Sequence, residues 1–259
     1  MADGLSVERH GRVLTVTIDR QDRMNALSQE VYDGLLETWT SLKGDRSVRA
    51  IVITGAGDRA FCTGMDLKAF AERGGPRPVK DDVHEELRVT PLNCDVWLPT
   101  VVAVNGVCTG AGFHFIADAD VVLASSTASF LDTHVSVGQV TAIEPITLLP
   151  RIGLGNALRL AVLGRHGRMS ADEALRISLV DEVVEPGALL DRAMELAEQA
   201  ASGSPAAIEA SKRAIVAALD LPMREAMQHG WELLLAHRQH PDSHEGPMAF
   251  AEKRDPEWT

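Results

Sequence analysis

The sequence predicts an α/β fold with an aliphatic core. Short runs of β-branched residues, such as 50–54 and 101–104, alternate with segments of helical periodicity. This alternation is typical of domains that cover a mostly parallel sheet with helices. Hydrophobic residues make up 45% of the 259 residues and aromatic residues only 4%, so the core must be built from aliphatic side chains.

Four segments of the first half are predicted to be strands. Val13–Ile18 alternates between aliphatic residues and threonines, a pattern that predicts a strand with one buried face. The runs 50–54, 101–104 and 121–124 are short and continuously apolar, which is typical of strands buried on both faces.

Helical spacing marks the segment 26–42 and most of the chain beyond Pro186. The segment 26–42 carries apolar residues on one face, and Ser28 is placed to cap its first turn. Beyond Pro186, three apolar stripes are separated by turns at 202–205 and 221–222, which predicts a series of amphipathic helices.

The charge balance argues against nucleic acid as a partner. The chain has 25 basic and 37 acidic residues and a net charge of −12, whereas binding to phosphate backbones needs a basic surface. An anionic cofactor would need a local cationic patch or helix N-termini. The apolar runs of the sequence are short, so we expect no membrane partner.

The cysteines indicate a reducing compartment. Cys62, Cys94 and Cys108 are odd in number and fit no metal-binding spacing, so we expect free thiols and a cytoplasmic location. The first ten residues show neither the basic nor the apolar region of a signal peptide.

Two glycine-containing segments each follow a predicted strand. They read FCTGMDL at 61–67 and NGVCTGAG at 105–112. A loop of small residues that leads into a helix leaves backbone N–H groups unpaired. Two such loops facing one another can bind a developing oxyanion.

These segments and their surroundings resemble the crotonase superfamily, which is also called the enoyl-CoA hydratase/isomerase superfamily. The resemblance rests on five stretches that follow one another in the family's order. They are RQDRMNAL at 20–27, IVITGAGDRAFCTGMDL at 51–67, LPTVVAVNGVCTGAGFHFIADADVVLA at 98–124, MSADEALRISLVDEVV at 169–184 and AFAEKR at 249–254.

The resemblance implies a ClpP/crotonase-like spiral of ββα units at residues 1–195. It implies a helical region at 196–259 for trimerisation and closure of the CoA site, in a homotrimer or a dimer of trimers. The ligand would be an acyl-CoA thioester, with the N–H groups of Met65 and Ala111 donating to its carbonyl oxygen. The residues carried over to CoA binding are Ala60, Met65, Asp66, Leu67, Phe250 and Lys253.

Two positions depart from the family's pattern. Hydratases of the family carry a glutamate two residues after the second glycine-rich loop and another four residues before a later glycine. The matching positions are His114 and His134. Glu144 lies in a stretch where some relatives, including certain dehalogenases and hydrolases, carry a catalytic carboxylate. We therefore expect His114, His134 and Glu144 to be catalytic, and Asp132 faces the same way as His134 if the segment is extended.

Three functions remain open at this point. The first is a lyase or isomerase acting on an enoyl-CoA or a related thioester, and the second is hydrolysis or carbon–carbon cleavage through the same enolate. The third is an acyl-CoA binder without catalytic activity. The sequence shows no metal-ligand spacing and no dinucleotide fingerprint, so we expect neither a metal nor a separate cofactor.

Overall fold

The computed structural model describes residues 2–66, 72, 74 and 79–259. Two sheets form its centre. The larger sheet has the strand order β1-β2-β3-β5-β7-β10, and the smaller has the order β4-β6-β8-β9. The strands are β1 Leu5–His10, β2 Val13–Ile18, β3 Ala50–Gly55, β4 Ala60–Cys62, β5 Thr100–Val104, β6 Val107–Cys108, β7 Val121–Ser125, β8 Ser129–Phe130, β9 Met169–Ser170 and β10 Glu182–Val184.

Helices cover both sheets and form the C-terminal part of the chain. The four predicted strands and the predicted C-terminal helices are all present, and β1, which sequence patterning did not predict, adds an edge strand. The helices are α1 Gln29–Ser41, α2 Val83–Glu86, α3 Gly112–Asp118, α4 Ile143–Leu163, α5 Ala171–Arg176, α6 Leu189–Ala201, α7 Pro205–Ala217, α8 Met223–His237 and α9 Asp242–Glu252.

The strand β2 is buried on both faces, although its alternating sequence predicted only one buried face. Thr15 is buried and its hydroxyl lies 3.5 Å from the sulfur of Met194. The reason is that α6 packs across this side of the large sheet, with Ala193 and Ala197 against β3 and β5. Ser28 caps α1 as predicted, accepting a hydrogen bond from the N–H of Val31.

The helix α6 crosses the boundary that the resemblance implied between residues 195 and 196. Its buried face, which includes Leu189 and Ala201, belongs to the same apolar cluster as strands β2, β3 and β5. The division into a core and a C-terminal helical region stays a prediction.

The small sheet brings the two glycine-containing loops together. β4 and β6 are parallel, with Cys62 opposite Cys108, and the N–H of Thr109 donates to the carbonyl of Cys62. The carboxyl ends of parallel strands lie at the same edge of a sheet, so the loops that follow β4 and β6 leave it side by side. A Cβ at Gly112 would lie only 2.7 Å from the carbonyl oxygen of Cys62, so the start of α3 packs directly on β4.

One segment among the described residues, Ile143–His166, is long and apolar enough to cross a membrane by length and composition alone. Contiguous apolar runs do not reveal it, because Arg151 and Arg159 interrupt its sequence. Its backbone leaves helical geometry at Gly153, where φ is 70°. The expectation of no membrane partner stays a prediction.

Removal of the Asn25 side chain is expected to destabilise the fold. Asn25 is buried, adopts a φ of 54°, accepts a hydrogen bond from the N–H of Arg20 and donates to the carbonyls of Ala56 and Ala60. Asn25→Ala removes the partner of the Arg20 N–H and of the Ala56 carbonyl, while the Ala60 carbonyl keeps its hydrogen bond from Asn105. We expect the free energy of unfolding to fall by about 3 kcal/mol. Urea denaturation at matched protein concentration measures this change.

The control is Gln29→Ala, which removes an exposed side chain that bonds only Asp33 among the described residues. Its effect should stay within about 0.5 kcal/mol. An equally small effect of Asn25→Ala would contradict the role assigned to Asn25.

Candidate active site

A cavity of about 230 Å³ opens beside the two glycine-containing loops. It lies at the carboxyl ends of β4 and β6, with α1 and the segment around α2 on one side and the start of α4 on the other. Apolar and ionisable side chains both face it. The lining includes Tyr32, Met65, Leu87, Val89, Gly110, Ala111, His114, His134, Val137, Gln139, Ile143 and Glu144.

The two loops approach each other so closely that only glycine fits at the contact. A Cβ at Gly64 would lie 3.1 Å from the backbone nitrogen of Ala111 and 3.4 Å from the Cα of Gly110. Gly64 and Gly110 also have positive φ, 78° and 54°, a conformation that favours glycine. The neighbouring residues Met65 and Ala111 are thereby brought together at the wall of the cavity.

The backbone N–H groups of Met65 and Ala111 have no acceptor among the described residues. The carbonyl of Gly64 accepts from the N–H of Leu27, and the N–H of Asp66 donates to the carbonyl of Leu27. These bonds tie the first loop to the chain before α1, and neither of them uses the Met65 N–H. Ala111 precedes α3, and the first N–H groups of a helix lack partners within the helix.

Asp66 stabilises the first loop from behind. Its buried carboxylate lies 2.9 Å from the guanidinium of Arg20, which also donates to the carbonyl of Ala26. Because Asp66 is engaged in this ion pair, its side chain fits a structural role in the loop better than proton transfer.

His114 is the third residue of α3 and is almost fully buried. Its Nε2 is 3.7 Å from Oε1 of Glu144, while its Nδ1 is buried and has no hydrogen-bond partner among the described residues. Burial lowers the pKa of His114 below its ordinary value, and this outweighs the opposing effect of Glu144. A charged imidazolium would bury an unpaired Nδ1–H, so the neutral ring is favoured.

His134 begins a short 3₁₀ turn, His134–Val137, on the opposite side of Glu144. Its Nδ1 lies 3.0 Å from Oδ1 of Asp132, and its Nε2 lies 3.7 Å from Oε1 of Glu144. The hydrogen bond to Asp132 raises the pKa of His134, burial opposes this, and Glu144 adds to it. The ring lies beside the second glycine-containing loop, since its Cε1 is 3.6 Å from the position of a Cβ on Gly110.

Glu144 therefore lies between the two imidazoles. It is buried in the first turn of α4, and its Oε1 is 3.7 Å from one nitrogen of each ring. These separations are longer than direct hydrogen bonds. Asp132, His134, Glu144 and His114 form a row of ionisable groups along the cavity, which can take up, hold and release protons.

Part of this row also has the composition of a metal site. One ligand atom from each of Asp132, His134 and Glu144 lies within 4.8 Å of the others. Both oxygens of Asp132 are engaged already, one with the backbone N–H and Nδ1 of His134 and the other with the hydroxyl of Thr141. This arrangement satisfies Asp132 without an ion, and the absence of a metal stays a prediction.

The structure places His114, His134 and Glu144 around one cavity with Met65 and Ala111, and the catalytic and oxyanion roles of these residues stay predictions. The residues carried over to CoA binding are more scattered. Ala60 is buried in β4 beside a smaller cavity, and Leu67 lies outside the described residues. Phe250, 87% exposed, and Lys253 lie at the end of α9 and do not line the cavity of this chain. Their contacts with CoA stay predictions.

Sequence reasoning missed the apolar wall of the cavity and the hydroxyl of Thr141. Val89 lies in the wall because its carbonyl accepts a hydrogen bond from the indole N–H of Trp39, a buried residue of α1. The helical spacing of α1 revealed Trp39, but no local pattern links α1 to residue 89. The contact depends on where residues 79–99 pack against α1.

Comparison with known proteins agrees with this arrangement. The family described as enoyl-CoA hydratase/isomerase matches residues 8–259. The chain belongs to the enoyl-CoA hydratase/isomerase family. A solved enoyl-CoA hydratase/isomerase from Mycobacterium paratuberculosis is 35% identical, covers 100% of this chain and 99% of its own, and superposes with a TM-score of 0.91. The fold is therefore the crotonase fold that the resemblance predicted.

Curated relatives of this family are named for hydration and dehydration reactions. (E)-Benzylidenesuccinyl-CoA hydratase of Thauera aromatica is 34% identical over 97% of both chains. Carnitinyl-CoA dehydratase of Citrobacter koseri is 35% identical over 100% of this chain and 99% of its own. These relatives support the prediction that the chain is an enzyme.

The two imidazoles of the row are expected to titrate on opposite sides of the ordinary histidine pKa of about 6.5. Asp132 stabilises the charged form of His134, whereas burial disfavours the charged form of His114. His134 should therefore lose its proton at a higher pH than His114. NMR titration of the imidazole resonances, assigned with His114→Gln and His134→Gln, measures both midpoints. The reverse order would show that the assigned electrostatics are wrong.

Proposed function

We propose that the protein is an enzyme that binds an acyl-CoA thioester and stabilises the enolate form of its acyl group. The observation that carries this proposal is the pair of N–H groups at Met65 and Ala111, which have no acceptor in the part of the chain that the structure describes, next to the row of ionisable side chains. A thioester oxygen that accepts from both donors gains most when it becomes negatively charged. The donors are held in place by the glycine contact, so no reorganisation is needed during the reaction.

The ionisable row supplies the proton transfers of the proposed reaction. Enolate formation requires a base at the α-carbon and a group that later returns a proton. Glu144 and Nε2 of His134 face the same space, so a proton taken by one can pass to the other. His114, neutral and buried, presents Nε2 to Glu144 and stabilises its carboxylate when this nitrogen carries the proton.

The row differs from the water site of a hydratase with two glutamates. Two carboxyl groups can hold one water, one acting as base and the other as acid. In this chain the carboxylate that lies between the two imidazoles belongs to Glu144, rather than to either of the two glutamate positions. We therefore propose a lyase or isomerase reaction in acyl-CoA metabolism, with low activity on a simple enoyl-CoA.

Hydrolysis or carbon–carbon cleavage is the second candidate. It is favoured by one observation, the hydrogen bond between Asp132 and Nδ1 of His134. A histidine that is supported in this way can accept a proton from water, and the same two N–H groups would stabilise the resulting oxyanion. An acyl-CoA binder without activity would bind the thioester oxygen through the two N–H groups, but its row of ionisable side chains would transfer no proton.

Turnover is expected to depend on His114, His134 and Glu144. We expect low hydration of crotonyl-CoA by the native protein. Glu144→Gln and His134→Ala should each reduce the turnover of an accepted thioester by about 10²–10⁴-fold, because each removes a positioned proton carrier. His114→Ala should reduce turnover less, since its nitrogen acts through Glu144. Hydration at the rate of a typical hydratase, unchanged in all three variants, would contradict the proposed roles.

Three measurements on one set of thioesters separate the candidate reactions. Loss of enoyl absorbance reports hydration, free thiol reports hydrolysis, and exchange of α-protons with deuterated water reports enolate formation. Calorimetry measures binding of the same compounds. Binding without any of the three reactions, across saturated, enoyl and β-keto thioesters, would favour the inactive binder.

The protein is also proposed to form a trimer or a dimer of trimers. The helices α7 and α8 and the turn between them expose large apolar side chains that a monomer would leave in water: Ile215, Leu219, Met223, Met227, Trp231, Leu234 and Leu235. Patches of this kind mark protein interfaces. The three buried free cysteines, of which Cys62 has a pKa raised to about 12 by burial, fit the proposed cytoplasmic location.

Light scattering is expected to give three or six times the chain mass of 27.9 kDa. Ile215→Glu places a charge in the exposed apolar patch and should lower the mass towards that of one chain. Asp220→Ala, in the exposed turn after α7, is the control and should leave the mass unchanged. A native mass of one chain at all working concentrations would rule out the proposed assembly.

A further inference from the structure

We propose that Asp132 is a positioning residue that orients His134 and presents its Nε2, in the basic form, to the acyl-CoA cavity. This inference rests on the proposed function, since it takes His134 to be a proton carrier. It adds a specific residue to that function, and it assigns the reacting nitrogen of the imidazole.

The contacts of Asp132 hold the imidazole ring of His134 in one orientation. Oδ1 accepts the backbone N–H of His134 at 2.8 Å and lies 3.0 Å from its Nδ1, while Oδ2 lies 3.2 Å from the same Nδ1. Both the start of the 3₁₀ turn and the imidazole plane are thus held by a single carboxylate. A ring held through Nδ1 can rotate little without breaking these contacts.

Asp132 is itself held in the charged form. Its exposed fraction is 0%. Besides the contacts with His134, Oδ2 of Asp132 accepts a hydrogen bond from the hydroxyl of Thr141 at 2.9 Å. These donors keep the pKa of Asp132 below its ordinary value despite burial. An anionic Asp132 can only accept hydrogen bonds, so Nδ1 of His134 must carry the proton.

The tautomer of His134 follows from this constraint. With the proton on Nδ1, the neutral ring has a free electron pair on Nε2, which faces Glu144 and the cavity. Among the residues that the structure describes, the ionisable groups that act on His134 are Asp132 on the preceding segment and Glu144 on α4, and His114 on α3 lies beside Glu144. Both carboxylates stabilise the imidazolium that forms when Nε2 takes a proton, whereas the neutral His114 opposes it little.

Asp132→Asn tests the role because it removes the charge and keeps the shape. We expect kcat for an accepted thioester to fall by about 10²-fold or more. The pH at which His134 changes its protonation state should move down by about one unit, since the carboxylate no longer favours the imidazolium. The corresponding limb of the kcat/KM profile should move in the same direction. Asp120→Asn, which removes an exposed carboxylate paired with Lys212, is the matched control and should shift neither.

Thr141→Val is a second variant with an effect of opposite sign. It removes a hydrogen bond to Asp132 and makes that carboxylate a stronger acceptor, so the transition of His134 should move to higher pH. This variant keeps the proposal testable if Asp132→Asn does not fold. A shift to lower pH, or no shift, in Thr141→Val would count against the role of Asp132.

Imidazole ¹⁵N shifts test the tautomer without any turnover. The native neutral His134 should show a protonated Nδ1 and a free Nε2, and Asp132→Asn should increase the Nε2–H tautomer. A native ring protonated at Nε2 would overturn the inference. If His134→Ala leaves turnover unchanged, the proposed function fails instead. If His134→Ala abolishes turnover but Asp132→Asn moves neither the pH limb nor the tautomer, the positioning role alone is refuted.

Discussion

The active site depends on one backbone contact, the approach of Gly64 to the segment Gly110–Ala111. Without a side chain at residue 64, the two loops can lie within van der Waals distance. This contact brings Met65 and Ala111, whose N–H groups are the proposed donors, to the same wall of the cavity. The parallel pairing of β4 with β6 sets the position of both loops, and the Arg20–Asp66 ion pair secures the first. A pair of backbone N–H donors can stabilise an oxyanion only if such supports keep the two groups from bonding to other acceptors.

The ionisable groups of the site obey a second constraint, the cost of burying charge. Asp132 and Glu144 are buried carboxylates, and each is stable only because donors or imidazoles surround it. Asp132 is satisfied within the protein, whereas Glu144 has no direct hydrogen bond to either imidazole at 3.7 Å. The hydrogen-bonded carboxylate of Asp132 is therefore fixed. The carboxylate of Glu144 leaves room for a substrate or a water to hydrogen-bond between it and the imidazoles.

Membership of the enoyl-CoA hydratase/isomerase family and the unusual side chains of the site are compatible. The family's shared element is the pair of backbone donors, which tolerates side-chain changes because the main chain provides the hydrogen bonds. His114 and His134 stand at the positions where the resemblance implies glutamates, and in the proposed function they take part in proton transfer rather than in binding the thioester oxygen. The fold can thus retain thioester binding while the proton chemistry changes.

The sequence by itself determined the α/β class, the main strands and the helical C-terminal part, because those depend on local periodicity. It also indicated the two loops and the replacement of two expected glutamates by histidine. The burial of Thr15 under α6 and the contact of Trp39 with residue 89 depend on distant elements and could not be predicted. Only the tertiary structure decided that Glu144 lies between two imidazoles and that Asp132 holds Nδ1 of His134. These relations depend on distances of a few ångströms between separate elements, which local sequence patterns do not encode.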